Sequence, residues 1–351
     1  MDKKVLDAII ELVSEETPAV LATIIKVTGS VPRHEGAKML VFPEGRVVGT
    51  IGGGCGEAEV RREALIVLDT NQPRSYSVYL NSDLAADEGM VCGGIMEVFL
   101  EPVGEKLIFQ KARECLEASR PAVLVTALEQ RARKALYDVN GKLLAGEEQP
   151  GITADKLKTV FAAGRASSED FPGLGRVLLE PVLPVEKLLI LGAGHVAQPV
   201  ALMGKWLDFH VTVIDDRPDF ANQVRYPGVD EVICADFVSA IRQYGIDPNT
   251  YIVIVTRGHQ YDEACLREVL GSSAKYLGMI GSRRRVKLLL NKLKEEGFPA
   301  EDLDKVKSPI GLNIGAETPA EIAVSILAEI IAVRRGRDSC QPPAVSCQPK
   351  Q

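Results

Sequence analysis

Residues 187–197 read Lys-Leu-Leu-Ile-Leu-Gly-Ala-Gly-His-Val-Ala, an apolar strand that runs directly into a glycine turn. A helical pattern follows over residues 196–207, and then a second apolar strand that ends at Asp215, 23 residues after the first turn glycine. Strand, glycine turn, helix, strand and acid in this order are the fingerprint of a dinucleotide-binding Rossmann fold. The fold class is therefore predicted to be α/β, with a doubly wound parallel sheet in the C-terminal part of the chain.

The glycine turn and the strand ends supply the predicted nucleotide contacts. Turn glycines let a pyrophosphate approach a helix N-terminus, and either Asp215 or Asp216 accepts the ribose hydroxyls. Arg217 beside them leaves a 2′-phosphate on the ribose possible. Ligands bind at the carboxyl ends of strands in such sheets, although arginines at these ends also fit a solvated face. The candidate nucleotide contacts are Gly192, Gly194, His195, Ala197, Asp215, Asp216, Arg217, Arg257, His259, Ser282 and Arg283.

A second glycine motif lies near the N-terminus, where residues 49–57 read Gly-Thr-Ile-Gly-Gly-Gly-Cys-Gly-Glu. Consecutive glycines let a loop adopt positive φ and bring its amides close to a ligand. The periodicity over residues 57–68 predicts a helix just after the loop. The helix dipole then favours a reactive thiolate at Cys55 and a bound anion, whereas the structural alternative is a tight turn with an inert buried thiol.

Two neighbouring polar segments resemble this motif in their chemistry. Residues 28–38 form a predicted loop containing Arg33, and Cys92 precedes two glycines at the start of a strand. We expect the loops to converge at one sheet edge, although a solvated loop and a β-bulge with an inert thiol explain the same residues. The candidate contacts in this part of the chain are Gly52, Gly53, Gly54, Cys55, Gly56, Glu57, Arg33, Cys92, Gly93 and Gly94.

The N-terminal half contains a degenerate internal repeat. The segment Pro-Ala-Val-Leu-Ala-Thr of residues 18–23 recurs 103 residues later, and two further segments are repeated in the same order. The second copy has neither thiol. We predict a sheet-and-helix domain over residues 1–184, made of half-units of about 1–104 and 105–184. A Rossmann-like domain over 185–336 and a disordered tail over 337–351 complete the chain.

The bulk composition excludes several classes of protein. A net charge of −7 and a pI near 5.4 argue against nucleic-acid binding. No signal peptide is apparent, and the most apolar late segment is too short to span a membrane. Seven cysteines without a Cys-x-x-Cys pair favour a reducing cytoplasm over disulfides or metal fingers.

These motifs together resemble the XdhC/CoxI family of xanthine dehydrogenase accessory factors. The resemblance rests on residues 29–33, 49–57 and 92–94 in the N-terminal half, and on residues 192–195, 256–259, 278–283 and 311–319 in the C-terminal half. It covers nearly the whole chain, although the tail with Cys340 and Cys347 has no counterpart in it.

The resemblance implies a cytoplasmic, dimeric factor that binds the molybdenum cofactor, in its molybdopterin or dinucleotide form. Such a factor protects the cofactor while a cysteine desulfurase supports its sulfuration, and inserts it into an apo-subunit of a xanthine dehydrogenase-like molybdenum hydroxylase. A thiolate suits a soft metal, so Cys55 is the first choice for a transient molybdenum contact and Cys92 the second. Glu57 then serves the loop either as a cap or as a proton carrier. The Rossmann domain holds either the nucleotide of the cofactor or a separate NAD(P).

Two alternatives remain open from the residues alone. One is an NAD(P)-dependent oxidoreductase in which Cys55 or His259 is catalytic. The other is a redox sensor that pairs Cys55 with Cys92, which requires Cα atoms about 4.4 to 6.8 Å apart.

Overall fold

The computed structural model describes residues 3–12, 17–80, 94–104, 106–129 and 133–336. The chain divides into two compact units, Met1–Pro184 and Val185–Gln351. Of the predicted site residues, Cys92 and Gly93 lie outside the described residues, as does the tail of residues 337–351.

The first unit begins with an antiparallel sheet in the strand order β3-β2-β1-β5-β4. Helix α2 packs on this sheet through apolar side chains such as Val60, Ala64 and Val67, which are fully buried. The elements are α1 (Lys3–Glu11), β1 (Val20–Gly29), β2 (Lys38–Val41), β3 (Val47–Gly49), α2 (Gly54–Thr70), β4 (Arg74–Tyr79) and β5 (Gly94–Pro102).

A second antiparallel sheet in the same unit has the order β8-β7-β6-β10-β9, which is the order of the first sheet with every strand number raised by five. The repeated topology confirms the internal repeat predicted from the sequence. The elements are α3 (Lys106–Glu117), β6 (Ala122–Ala127), β7 (Lys134–Asp138), β8 (Leu143–Gly146), α4 (Ala154–Ala163), β9 (Ser167–Phe171) and β10 (Gly175–Val182).

Equivalent glycines mark the same position in the two copies. Gly49 ends β3 at φ 84° and Gly146 ends β8 at φ 85°. A Cβ on Gly49 would lie 2.5 Å from the carbonyl oxygen of Lys38, and one on Gly146 would lie 2.3 Å from that of Lys134. Both strands therefore turn at a backbone contact that only glycine accommodates.

Two buried ion pairs join the copies reciprocally. Lys38 of the first copy lies 2.9 Å from Glu180 of the second, and its ammonium donates to Thr23 at 2.9 Å. Lys134 of the second copy lies 2.7 Å from Glu101 of the first and donates to Thr126 at 3.0 Å. Each lysine is thus neutralised by the other half of the unit.

The second unit is a six-stranded parallel sheet in the order β13-β12-β11-β14-β15-β16, as the Rossmann fingerprint predicts. Residues Leu188 and Ile190 of β11 face one apolar core, and Leu189 and Leu191 face another, so the sheet is covered on both sides. The elements are β11 (Lys187–Leu191), α5 (Ala197–Trp206), β12 (His210–Asp215), β13 (Glu231–Cys234), α6 (Phe237–Tyr244), β14 (Thr250–Ile254), α7 (His259–Val269), β15 (Tyr276–Met279), α8 (Arg283–Glu295), α9 (Ala300–Asp304), β16 (Val306–Lys307) and α10 (Pro319–Arg334).

Two predicted boundaries differ from the structure. Pro181 and Pro184 predict a linker between the two domains, but Pro181 lies inside β10. Helix α2 begins at Gly54, three residues before the predicted start, because the Glu57 carboxylate accepts from the amide of its N-cap residue, Gly53. The helix therefore includes part of the glycine motif.

Candidate functional site

The predicted loops of the first unit converge on the N-terminus of α2. A Cβ on Gly52 would lie 2.3 Å from Cγ of Pro32, so the proline ring packs directly against this glycine. Gly94 is equally close to the other end of the same loop, since a Cβ there would lie 2.4 Å from the carbonyl oxygen of Ser30. Arg33 follows Pro32 and is exposed. Glycine therefore permits the close approach of three polar segments.

The carboxylate of Glu57 organises the glycine loop. Its Oε1 accepts hydrogen bonds from the amides of Ile51 and Gly53, each at 3.0 Å, and from the hydroxyl of Thr50. Burial raises the pKa of Glu57, but the hydrogen bonds from Thr50 and from the loop amides outweigh it, so the pKa is lowered overall. An ionised Glu57 thus acts as an internal cap of the loop, and these contacts favour that role over proton transfer.

Cys55 is the second residue of α2 rather than a residue of the preceding loop. Its side chain is half-buried, whereas Gly53 and Gly54 beside it are exposed. The first-turn amides of a helix have no partner within the helix, and they carry the positive end of its dipole. The first turn of α2 therefore combines a thiol with an environment that favours an anion.

Two cavities of the first unit lie away from this helix terminus. One, of about 710 Å³, is lined by the Lys134–Glu101 ion pair together with Ile108. The other, of about 760 Å³, is lined by Glu97 and Arg176, which form a bidentate ion pair. Neither of these cavities is lined by residues 49–57, of which Gly53 and Gly54 are exposed.

The glycine turn of the second unit has one packed and one open glycine. A Cβ on Gly192, at φ 115°, would lie 2.4 Å from the carbonyl oxygen of Val255, which brings the end of β14 against the turn. Gly194 has no atom within 4 Å of such a Cβ, His195 is exposed, and Ala197 begins α5. Gly194 therefore offers the space in which a phosphate could approach the helix.

The two acids after β12 are both engaged by arginines. Asp215 is buried and pairs bidentately with Arg217 at 2.8 and 2.9 Å, while its Oδ2 accepts from the amide of Ala193 at 2.8 Å. Burial raises the pKa of Asp215, but these hydrogen bonds lower it overall. Asp216 pairs in the same way with Arg257 at 2.6 and 2.9 Å. Asp215 therefore accepts a hydrogen bond from its own glycine turn, and neither acid is left free of an arginine to bind a ribose.

A further polar cluster lies after β14 and β15, and sequence reasoning missed its central residue. Asp262 is buried in the first turn of α7, where it accepts from Thr256 at 2.6 Å and from Arg285 at 3.2 Å. Burial raises its pKa despite these partners. The sequence feature that could have identified Asp262 is its position three residues after His259.

The remaining predicted residues at this edge are exposed. His259 begins α7 and Arg283 begins α8, where the Ser282 hydroxyl accepts from the amide of Arg285 as the N-cap. Ser282 therefore serves as a helix cap in this structure. Arg283 and His259 present their side chains to solvent at the edge where ligands bind such sheets.

The described residues lack two kinds of feature, a membrane-spanning helix and a metal-binding cluster. In that part of the chain, no helix is long and apolar enough to cross a membrane. The same residues contain no group of three or more histidine, cysteine or acidic side chains arranged to hold a metal ion.

Comparison with known proteins gives matches along most of the chain. Residues 12–79 match the model of the XdhC and CoxI family, and residues 188–330 match that of the XdhC Rossmann domain. A probable xanthine dehydrogenase subunit of Bacillus subtilis (strain 168) is 30% identical over 335 residues, which cover 94% of this chain and 96% of that protein.

Two further proteins are similar over almost their full lengths. The molybdenum cofactor insertion chaperone PaoD of Escherichia coli (strain K12) is 26% identical over 346 residues, covering 97% of this chain and 92% of PaoD. A crystal structure described as a xanthine dehydrogenase from Bacillus halodurans has a TM-score of 0.79 and 30% identity, covering 96% of this chain and 98% of that one.

Proposed function

Because the chain belongs to the XdhC and CoxI family, we propose that it is an accessory factor for a xanthine dehydrogenase-type molybdenum hydroxylase. It binds the molybdenum cofactor, supports its sulfuration in concert with a cysteine desulfurase, and inserts it into the apo-subunit. The similarity to a molybdenum cofactor insertion chaperone over 97% of the chain supports this role. The proposal includes a homodimer that acts in the cytoplasm.

The observation that carries the proposal is the thiol of Cys55 in the first turn of α2, at the point where the loop of Pro32 meets Gly52. The cofactor supplies a phosphate and a soft, dithiolene-ligated metal. Amides at a helix terminus suit the phosphate, and a thiolate suits the metal or a sulfur relay. Arg33 adds an exposed cation to the same loop.

Glu57 limits which amides the cofactor can use. Because its carboxylate already accepts from Ile51 and Gly53, a phosphate would bind at the first turn of α2 rather than within the loop. Glu57 is thereby a positioning residue that holds the turn carrying Cys55. The second unit would hold a nucleotide, either that of a dinucleotide cofactor or a separate NAD(P).

The test is the molybdenum and pterin content of protein purified anaerobically from a host that makes the cofactor. We expect near-stoichiometric molybdopterin in the wild type and a loss of at least half in Cys55→Ala. Cys234→Ala is the matched control, because Cys234 is an exposed cysteine in the other unit. Equal cofactor content in the wild type and both variants would refute the claim that the Cys55 thiol contacts the cofactor.

The oxidoreductase alternative is favoured by one observation, the buried acid Asp262 close behind His259 at the sheet edge. It predicts catalytic oxidation of NAD(P)H and loss of turnover in His259→Ala. The accessory role predicts stoichiometric transfer of the cofactor without hydride turnover, so a single NAD(P)H oxidation assay separates the two.

A further inference from the structure

A chain of contacts leads from the glycine turn to an arginine that sequence reasoning did not single out. Ala193 of the turn donates its amide to Asp215, and Asp215 pairs with Arg217. The guanidinium of Arg217 stacks on the ring of Phe220, 3.7 Å from its centroid. The guanidinium of Arg225 lies 4.9 Å from the centroid of the same ring. Arg225 is therefore linked to the glycine turn through three side chains.

A second connection closes this chain into a ring. Gln198, in the first turn of α5, donates its side-chain amide to the carbonyl oxygen of Arg225 at 3.2 Å. The backbone amide of Gln198 in turn donates to the carbonyl oxygen of Gly194 at 3.4 Å. Arg225 thus lies at the rim of the glycine turn, on the side of β12.

The polar atoms at this position lack partners. Nε and Nη2 of Arg225 are buried and form no hydrogen bond with any described residue, and the same is true of the Tyr226 hydroxyl. Tyr226 is only 2% exposed, and its burial raises the pKa of the phenol, so the hydroxyl stays protonated as a donor. Nε and Nη2 are the parallel fork of a guanidinium, which fits two oxygens of one anion.

The positive charge of the Arg225 guanidinium is not neutralised by any carboxylate of the described residues. Arg217 is paired with Asp215, and Arg257 with Asp216, whereas no carboxylate of the described residues pairs with Arg225. A buried charge without a partner is unfavourable. An anion that binds at this position is therefore stabilised by the positive charge of Arg225 and by hydrogen bonds from its unused donors.

We propose that Arg225 and Tyr226 bind a phosphate monoester on the ribose of the nucleotide held by the glycine turn, which makes a 2′-phosphorylated dinucleotide of the NADP type the ligand. The inference rests on the nucleotide-binding part of the proposed function. A Rossmann site for an unphosphorylated ribose presents a carboxylate to its hydroxyls, but Asp215 is occupied by Arg217 and Ala193. Because Nε and Nη2 are shielded, the guanidinium turns outward from Phe220 as the phosphate binds.

The proposal is tested by isothermal titration of the full chain with NADP⁺, NAD⁺, 2′,5′-ADP, 5′-AMP and orthophosphate. We expect NADP⁺ to bind roughly 10- to 100-fold more tightly than NAD⁺, and 2′,5′-ADP to exceed 5′-AMP by a similar factor, as for one charge-assisted bidentate contact. Arg225→Met should abolish both preferences and Tyr226→Phe should reduce them. Arg242→Met, which removes an exposed arginine paired with Glu268, should leave them unchanged.

Three results would overturn the inference. Equal affinity of the wild type for NADP⁺ and NAD⁺ removes the phosphate contact, and a preference retained in Arg225→Met assigns it to other residues. Orthophosphate binding as tightly as 2′,5′-ADP makes the site one for a free anion. Far-ultraviolet circular dichroism checks that each variant is folded. Cofactor content is measured separately, so a failure here leaves the molybdenum proposal standing.

Discussion

Removing the charge of Lys38 should destabilise the first unit more than any exposed substitution. The side chains of Lys38 and Glu180 are only 2% and 4% exposed, and their atoms lie 2.9 Å apart. Lys38→Met keeps the aliphatic length but leaves the carboxylate of Glu180 buried without a cation. Removing one partner of a buried ion pair costs about 3–5 kcal/mol. We therefore expect Lys38→Met to lower the free energy of unfolding by that amount.

The structure provides two comparison variants. Lys134 forms the equivalent pair with Glu101, but its side chain is 12% exposed and lines the cavity of about 710 Å³, so water can reach it. Lys134→Met should therefore cost less than Lys38→Met. Lys305 pairs with Asp302 at the surface with 68% of its side chain exposed, and Lys305→Met should cost about 0–1 kcal/mol.

Urea unfolding followed by two probes can assign the effect to the first unit. Hydrogen exchange measured on peptic fragments separates the first unit from the second, whereas circular dichroism reports both. With a urea dependence of about 2 kcal/mol per molar, the expected loss moves the midpoint of the first unit by roughly 1.5–2.5 M. The exchange transition of fragments from the second unit should stay in place.

Two outcomes would contradict this reasoning. A cost for Lys38→Met equal to that of Lys305→Met would mean that the buried pair contributes no more than a surface pair. A double variant Lys38→Met, Glu180→Leu that is as unstable as the single variant would refute the claim that the cost comes from the unpaired carboxylate, because replacing both charges should recover much of the loss.

Four further predictions concern the glycine motifs and their acids. Gly192→Ala should destabilise the second unit by about 1–3 kcal/mol, as measured by circular dichroism in urea, since its φ is 115° and its Cβ would meet the Val255 carbonyl. Gly194→Ala should leave stability unchanged within about 0.5 kcal/mol but weaken nucleotide binding in titration calorimetry, because a Cβ there enters open space. Asp215→Asn should cost roughly 1–3 kcal/mol at neutral pH. Because the folded pKa of Asp215 is lowered from 3.8, its contribution is present above that pH and is lost as pH falls through the folded value, so unfolding curves should converge with those of the variant in acid. Glu57→Gln should lower the melting temperature of the first unit and reduce cofactor content together, and unchanged values of both would show that the loop holds its shape without the carboxylate.

Local patterns in the sequence were sufficient to predict most of the fold. The strand and glycine turn of residues 187–197 predicted a parallel sheet, and the observed strand order agrees. The repeated segments predicted two similar sheets, and their strand orders match. Each of these features depends on residues that are close in sequence, where periodicity and turn chemistry are informative.

The ion pairs between the copies were not predicted, because they join residues far apart in sequence. Thr23, Lys38 and Glu101 recur as Thr126, Lys134 and Glu180 in the second copy, so the sequence repeat already contained every partner. The signal was a polar residue kept in both copies within an otherwise apolar strand. Its partner could not be deduced, since pairing within a copy and pairing between copies fit the sequence equally well.

The candidate sites were predicted by residue type but not by contact. Either Asp215 or Asp216 was expected to accept the ribose hydroxyls, and only the structure reveals that Arg217 pairs with Asp215 and Arg257 with Asp216. Arg225 and Tyr226 lie between β12 and β13 in a segment without a regular pattern, so the sequence offered no reason to select them. Their unused hydrogen-bonding atoms become apparent only when every neighbour is known.

The exchange of charges between the two copies has a consequence for synthesis on the ribosome. Lys38 and Glu180 are 142 residues apart, so at 5–20 residues per second the carboxylate is made roughly 7–30 s after the lysine. During that interval the strand that carries Lys38 cannot bury its ammonium against the partner it has in the folded protein. The half that carries Cys55 is therefore translated first but stays incomplete until the end of the second half is made, and its thiol leaves the ribosome before the surrounding domain can close.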